Sequence, residues 1–171
     1  MIRKVAAIAV VLVGLAGLTH VVMAQDPVYF ADANLKAAVE RELGIPDPTP
    51  TDMLLLIGLD AMSCGIADLT GIEYATNLTH LFLSQNRIND ISAISGLNNL
   101  TMLLLDNNQI STISALSGLT NLTWLDLSNN QISDISALSG LPHLSFLILS
   151  GNQISDISAL AELVNLSLLK H

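Results

Sequence analysis

The chain has 171 residues, of which 51% are hydrophobic and 12% charged, and its formal net charge is −9. A chain of this size can bury a sizeable core in one domain with short appendages. No basic cluster is present, which argues against nucleic acid and anionic membrane surfaces as partners. The single cysteine, Cys64, excludes an internal disulfide, and no cysteine–histidine spacing suggests a metal site.

Residues 1–24 have the pattern of a secretory signal peptide. Arg3 and Lys4 give a positive start, an apolar run covers residues 5–18, and small residues precede a cleavage site after Ala24. The sequence therefore predicts a protein that is secreted or held in the cell envelope, with no membrane insertion after cleavage. The alternative is an uncleaved membrane anchor, but polar residues interrupt the apolar stretch soon after position 18.

Residues 25–55 are predicted to form a helical N-terminal cap and a linker. Asp32 is the predicted N-cap of a helix that Gly44 ends, and its apolar residues recur at helical spacing. This apolar side is expected to cover the first coil of the segment that follows. A further helical turn is predicted to begin at Thr51 or Asp52, after a stiff proline-rich link.

Residues 56–171 repeat with a period of 22 residues. Leucine recurs at that interval at Leu78, Leu100, Leu122, Leu144 and Leu166. The unit L-x-x-L-x-L-x-x-N-x-I is the signature of the leucine-rich repeat, and the segment holds five complete units and a truncated sixth. Because one unit cannot bury its own leucines, stacked units are required. The predicted fold is an α/β solenoid with a parallel sheet and 3₁₀ turns on the opposite side.

The ninth position of each unit is predicted to form a structural ladder. An asparagine amide there can donate to and accept from backbone groups of adjacent coils, which pairs polar groups that burial leaves unsatisfied. The predicted ladder consists of Cys64, Asn86, Asn108, Asn130 and Asn152. Cys64 is interpreted as a structural thiol, because free cysteine behaves as a small buried hydrophobe.

Two other repeated columns are interpreted as structural. Aspartates that precede the returning turns are interpreted as caps rather than as a cation site, and they are Asp68, Asp90, Asp134 and Asp156. Tripeptides that match the glycosylation acceptor begin at Asn77, Asn99, Asn121 and Asn165. All four fall at one repeat position, so repetition explains them without glycans.

The sixth unit begins at Leu166 and stops at His171, and no capping segment follows it. The last coil is therefore expected to leave apolar surface and a strand edge open. Two interpretations stay open. The chain is either a truncated fragment of a longer surface protein, or it associates with itself or a partner at that end.

The segments "NQISDISALSGL" and "DANLKAAVERELG" closely resemble the repeat and the helical cap of internalin-type leucine-rich repeat proteins of bacteria. The resemblance covers about residues 28–171. It implies a right-handed curved solenoid whose concave sheet binds another macromolecule, often a protein. Members of this family are found at the bacterial surface or in the secreted fraction.

The strands present an outward face that suits a protein partner. Leucines at positions four and six of each unit point inward, so positions three and five point to the concave side. The predicted binding residues are His80, Phe82, Met102, Leu104, Trp124, Asp126, Phe146 and Ile148. Aromatic and aliphatic anchors on a rigid sheet are typical of protein interfaces, with Asp126 as a polar handle. The expected patch area is on the order of 300–500 Å².

Two alternatives to protein binding are kept. The first is a purely structural spacer, in which cross-strand pairs only stabilise the sheet. The second is carbohydrate binding, in which a sugar stacks on a ring and Asp126 accepts from its hydroxyls. No catalysis and no cofactor are predicted, because the sequence has no known nucleophile, metalloprotease or nucleotide motif. Asp60 and Asp126 are three coils and roughly 14 Å apart, too far to act as a carboxylate pair.

Overall fold

The computed structural model describes residues 10–13, 19–22 and 25–170 of the chain. From residue 58 onward each coil contributes one short strand to a six-stranded parallel sheet, and the strands lie in chain order. These strands are β3 (Gly58–Asp60), β4 (His80–Phe82), β5 (Met102–Leu104), β6 (Trp124–Asp126), β7 (Phe146–Ile148) and β8 (Leu168–Lys170). The predicted solenoid with a parallel sheet is confirmed.

Neighbouring strands pair one repeat apart. Leu103 lies opposite Leu81 on one side and Leu125 on the other, so each repeat position forms a column across the sheet. On the opposite, convex side the chain returns through short 3₁₀ turns, as predicted. They span Ile72–Tyr74, Ser92–Ile94, Ser114–Leu116, Ser136–Gly140 and Ser158–Glu162. A fixed register across all the strands is what allows one side chain per coil to act in a continuous row.

The core lies between the sheet and the turns and runs through the coils. Leu81 and Leu83 of β4 and its continuation are fully buried, and the equivalent leucines of the next two coils are buried as well. Isoleucines from the convex side, such as Ile88 and Ile110, fill the space opposite them. Burying one such side chain contributes about 1.5–3 kcal/mol relative to its exposed state. Each coil obtains this only by stacking on its neighbours.

Aspartates cap the turns on the convex side. Asp134 Oδ1 accepts a hydrogen bond from the Ser136 amide at 2.8 Å, and the equivalent carboxylates of three other coils accept in the same way from the amide two residues on. The backbone and hydroxyl donors of Ser136 hold the pKa of Asp134 below its ordinary value. In the second, fourth and fifth coils the amide that the carboxylate satisfies belongs to the first residue of the 3₁₀ turn.

The first coil is covered by helix α1, Ala33–Leu43. Its Leu35, Ala38 and Val39 are fully buried against that coil. The helix ends at Gly44, whose left-handed conformation (φ 67°) lets its amide donate to the Glu40 carbonyl at 2.8 Å. The helical cap predicted from the sequence is therefore present, and it shields the open end of the stack.

Asp32 joins this helix to the first repeat. Its Oδ1 caps the helix by accepting from the amides of Asn34 (2.8 Å) and Leu35 (3.3 Å). Its Oδ2 accepts from the amides of Ala67 (2.7 Å) and Asp68 (3.4 Å) in the first coil. Partial burial raises the pKa of Asp32, but the four amide donors together outweigh it and lower the pKa below its ordinary value.

Changing Asp32 to asparagine is expected to lower the free energy of unfolding by about 1–2 kcal/mol at pH 7. Asparagine keeps the helix cap but has no second oxygen for the Ala67 amide. Because the pKa is lower in the folded state, the carboxylate stabilises the protein fully above the unfolded value near 4 and loses this effect as the pH falls through the folded pKa. Urea unfolding at pH 7 and pH 3 should therefore show a deficit that shrinks in acid, while the exposed Asp26→Asn control shows none. An equal deficit at both pH values contradicts the charge-based account.

The second helix, α2, differs slightly from the prediction. It spans Pro50–Met53, so it starts before the predicted Thr51 or Asp52. Thr49 is the N-cap: its hydroxyl accepts from the Asp52 amide at 3.3 Å, and the Asp52 carboxylate accepts from the Thr49 amide at 2.8 Å. Proline suits the first position of a helix because its missing N–H would have no partner there. Pro50, which the sequence analysis assigned to the proline-rich link, is the first residue of this helix.

The N-terminal region contains a separate pair of strands. Strand β1, Val10–Val13, pairs antiparallel with β2, Thr19–Val22, and Val10 lies opposite Val22. The predicted cleavage point after Ala24 lies outside the described residues, so the signal peptide stays a prediction. Within the part of the chain that the structure covers, no helix is both long and apolar enough to cross a membrane.

The last coil is less covered than the others. Ile157 is 54% exposed, whereas its equivalent one coil earlier, Ile135, is only 2% exposed. The partly buried Ile154 likewise occupies a position that is fully buried in earlier coils. This difference arises because the core of each coil is covered by the coil that follows it.

Candidate protein-binding face

The outward side chains of β4 to β7 form what we call the concave face. Its members are His80, Phe82, Met102, Leu104, Trp124, Asp126, Phe146 and Ile148. His80 is exposed and the other seven are half-buried, whereas the intervening leucine of each strand is fully buried. The structure therefore places all eight residues on one side of four adjacent strands.

A stacked aromatic pair lies near the middle of this face. Trp124 and Phe146 are register partners on β6 and β7, and their ring centroids are 4.7 Å apart with an interplanar angle of 21°. The separation is close to the spacing of neighbouring strands, so the two rings stand side by side on the sheet. Such a pair contributes about 0.5–1.5 kcal/mol beyond its buried area. Met102 continues the column on β5.

The second column of the face is apolar except at one position. Phe82, Leu104, Asp126 and Ile148 follow one another across β4 to β7. His80 meets Phe82 edge to face with centroids 6.4 Å apart, and its Nδ1 lies 2.8 Å from the Thr79 hydroxyl. The result is a continuous aromatic and aliphatic surface with one carboxylate inside it.

Asp126 is held in place by the residue that ends its strand. Its Oδ1 accepts from the amide of Ser128 at 2.9 Å and from the hydroxyl of Ser128 at 2.6 Å. Its Oδ2 has no hydrogen-bond partner among the side chains and backbone groups of residues 25–167. One oxygen is therefore fixed and the other is available to a donor outside the chain.

A polar rim borders the concave face where the strands end. The Ser84 hydroxyl donates to Asp106 Oδ1, and Asp106 Oδ2 accepts from Asn107 Nδ2 at 2.7 Å. Asn129 Nδ2 donates to Asn107 Oδ1 at 3.1 Å, which extends the network by one coil. Both oxygens of Asp106 are thus engaged within the protein, unlike those of Asp126.

The rim residues at the eighth repeat position have a left-handed backbone conformation that was not predicted from the sequence. Each is left-handed, with φ between 53° and 73°, and they are Ser63, Gln85, Asn107, Asn129 and Gly151. Asparagine and glycine tolerate this conformation better than other residues do. Their recurrence at one position was the available signal that the strand ends in a tight turn there.

The asparagines of the ninth position connect consecutive coils. Asn108 Nδ2 donates to the carbonyls of Leu83 (3.0 Å) and Leu105 (3.1 Å), and its Oδ1 accepts from the Ile88 amide (3.0 Å). Asn86, Asn130 and Asn152 make the equivalent bonds to the coil that precedes their own. Each amide therefore joins its own coil to the preceding one.

Cys64 holds the ninth position of the first coil but makes only a local contact. Its Sγ lies 3.4 Å from the Met62 carbonyl, and the half-buried thiol packs against the core. The first coil has helix α1 rather than a repeat before it, so a long polar amide has no coil to reach there.

A second asparagine column was also missed. The side-chain amides of Asn77, Asn99, Asn121 and Asn165 each donate to a carbonyl of the preceding coil at 2.7–2.9 Å. These are the residues of the acceptor-like tripeptides, so their nitrogens have a structural role. Their shared repeat position was the signal, as it was for the ninth-position ladder.

The described surface outside the concave face holds a groove on the convex side but no cluster of metal-ligating side chains. Residues 25–170 contain no group of three or more histidine, cysteine, aspartate or glutamate side chains that could hold a metal ion. The convex side has an open groove of about 450 Å³ between coils, lined by Thr112, Ser114 and Asp134 among others. Its polar groups are those of the turns and their caps.

The sequence matches the family model described as "Leucine Rich repeats (2 copies)" over residues 76–118 and 120–168. Among solved structures it is similar to an internalin, InlF, of Listeria monocytogenes, with 30% identity and a TM-score of 0.72 over 91% of this chain and 53% of that one. It therefore spans about half the length of that protein. A search of curated proteins gives no match.

Two other solved structures are similar. The functional domain of InlJ from Listeria monocytogenes, described as including a cysteine ladder, shows 28% identity and a TM-score of 0.72 over 82% of this chain and 31% of that chain. A leucine-rich repeat protein of Leptospira interrogans shows 35% identity and a TM-score of 0.55 over 58% of this chain and 26% of that chain. The chain belongs to the leucine-rich repeat family and is of the internalin type.

Proposed function

We propose that this protein is an exported module that binds another protein through its concave face and has no catalytic activity of its own. The observation that carries the proposal is the continuous half-buried surface of aromatic and aliphatic side chains on β4 to β7, with the Trp124–Phe146 stack near its middle. Large rigid aromatic anchors surrounded by a polar rim are typical of protein interfaces. Export is supported by the N-terminal sequence pattern.

A double variant, Trp124→Ala with Phe146→Ala, tests the proposal. Truncating two central anchors is expected to weaken binding by about 2 kcal/mol or more, which is at least about 30-fold. The immobilised wild-type protein and the variant are each exposed to secreted and surface proteins. Proteins retained only by the wild type are identified by mass spectrometry, purified and titrated against both forms.

The matched control is Tyr29→Ala with Tyr74→Ala, which removes two exposed aromatic rings outside the sheet. This control should bind as the wild type does. Thermal melting should show that the Trp124 and Phe146 double variant is folded, with a cooperative transition whose midpoint stays well above the temperature of the binding assay. Equal binding by the wild type and the double variant rejects the concave face. A large loss of stability with no change in binding supports the purely structural alternative.

Self-association through the last coil is a further prediction about partners. The exposure of Ile157 supports it, because an exposed apolar side chain favours contact with another surface. This contact would lie at the end of the sheet, away from Trp124.

A further inference from the structure

Asp126 is a carboxylate set inside an apolar surface. It lies between Leu104 and Ile148 in the sheet register, and Trp124 precedes it on the same side of β6. A partner that covers these neighbours also removes water from the carboxylate. Burial of an unpaired charge costs several kcal/mol, whereas a charge that meets a cation and hydrogen-bond donors avoids most of that cost. The partner must therefore supply a donor at this point.

Among residues 25–167, whose side chains the structure describes, no lysine or arginine pairs with Asp126. The outward positions of β3 to β7 hold no lysine or arginine. Lys36 pairs with Glu40 and Asp47 in the cap, and Arg41 Nη2 donates to the Asp60 carbonyl at 2.8 Å. These two cations are thus engaged in the cap and the first coil, away from β6.

The net negative charge of the whole chain also favours a partner that carries a cation. The formal net charge is −9, with fifteen acidic residues against six basic ones. A negative surface attracts a basic partner and raises its association rate. The rim does not compete for this partner, because both oxygens of Asp106 are already bonded within the protein.

We propose that the protein partner of the concave face presents an arginine, and that its guanidinium pairs with Asp126 beside Trp124. This inference rests on the proposed function. Arginine fits better than lysine because a guanidinium is more weakly hydrated, donates in a planar fork and packs against aromatic rings. Oδ2 of Asp126 is the acceptor, while Oδ1 stays bonded to Ser128.

The test uses a defined peptide and the only tryptophan of the chain. Trp124 lies on the face, so its fluorescence reports occupancy directly. The probe is an acetylated tripeptide amide with leucine on both sides of a central arginine, compared with the same peptide carrying neutral citrulline. The arginine peptide should give a saturable change in fluorescence, and citrulline should bind about tenfold more weakly.

Two variants with the same loss of charge make the test specific. Asp126→Asn keeps the acceptor for Ser128 and should bind the two peptides equally. Asp134→Asn lies on the convex side and should still prefer arginine, as the wild type does. No saturable change with the arginine peptide, equal binding of both peptides by the wild type, or the same loss in both variants would each overturn the proposal.

The outcome separates this inference from the function on which it rests. If the Trp124 and Phe146 double variant loses its partners while the wild type binds both peptides equally, the face binds protein and only the arginine is rejected. If the double variant keeps its partners, the concave face is rejected and the arginine with it.

Discussion

Replacing Asn108 with alanine is expected to lower the free energy of unfolding by about 3–5 kcal/mol. The side chain is 8% exposed and pairs three buried backbone groups, namely the carbonyls of Leu83 and Leu105 and the amide of Ile88. Each buried polar group that loses its partner costs about 1–3 kcal/mol, and alanine also leaves a small void. Urea unfolding followed by circular dichroism measures the loss.

Asn99→Ala is the matched control for this change. Asn99 also reaches back to the preceding coil, but it is exposed and makes one hydrogen bond, to the Thr76 carbonyl. Water can replace that bond, so the expected loss is below about 1 kcal/mol. Equal losses at the two positions would falsify the claim that burial, rather than the bond between coils, makes the ninth position indispensable.

Replacing Leu125 with alanine is expected to cost about 3–4 kcal/mol, whereas Leu104→Ala should cost about 1 kcal/mol. Leu125 is fully buried in β6, where truncation leaves a cavity between neighbouring coils. Leu104 lies on the concave face of β5 and is half-buried, so its truncation only exposes adjacent side chains to water. The pair tests directly which positions of the strand point inward. Similar losses for both leucines, measured by thermal or urea unfolding, would contradict the assigned orientation.

The repeat made much of this structure predictable. A strict period fixes the register of every strand once one is known, because Leu81, Leu103 and Leu125 must occupy equivalent places. The alternation within each strand then determines which side chains face outward, including Trp124. The helical cap was equally accessible, because Asp32 and Gly44 are strong start and stop signals.

Other features could not be derived from the period. The second role of Asp32, accepting from Ala67, depends on how the cap helix packs against the first coil. The left-handed conformation of Gln85 was hidden because glutamine has no preference for it, and only its equivalents Asn107 and Gly151 carry the signal. The single contact of Cys64 with the Met62 carbonyl reflects what precedes the first coil, which the ninth-position pattern does not encode.

The ladder has a direction, because each asparagine reaches back to the coil before its own. Each ninth-position asparagine completes the backbone of residues about 20–25 positions earlier, as Asn130 does for the Ile110 amide and the Leu105 carbonyl. A coil therefore has its buried polar groups paired only when the coil that follows it is in place. A turn that stacks out of register leaves the preceding turn without its closing amide.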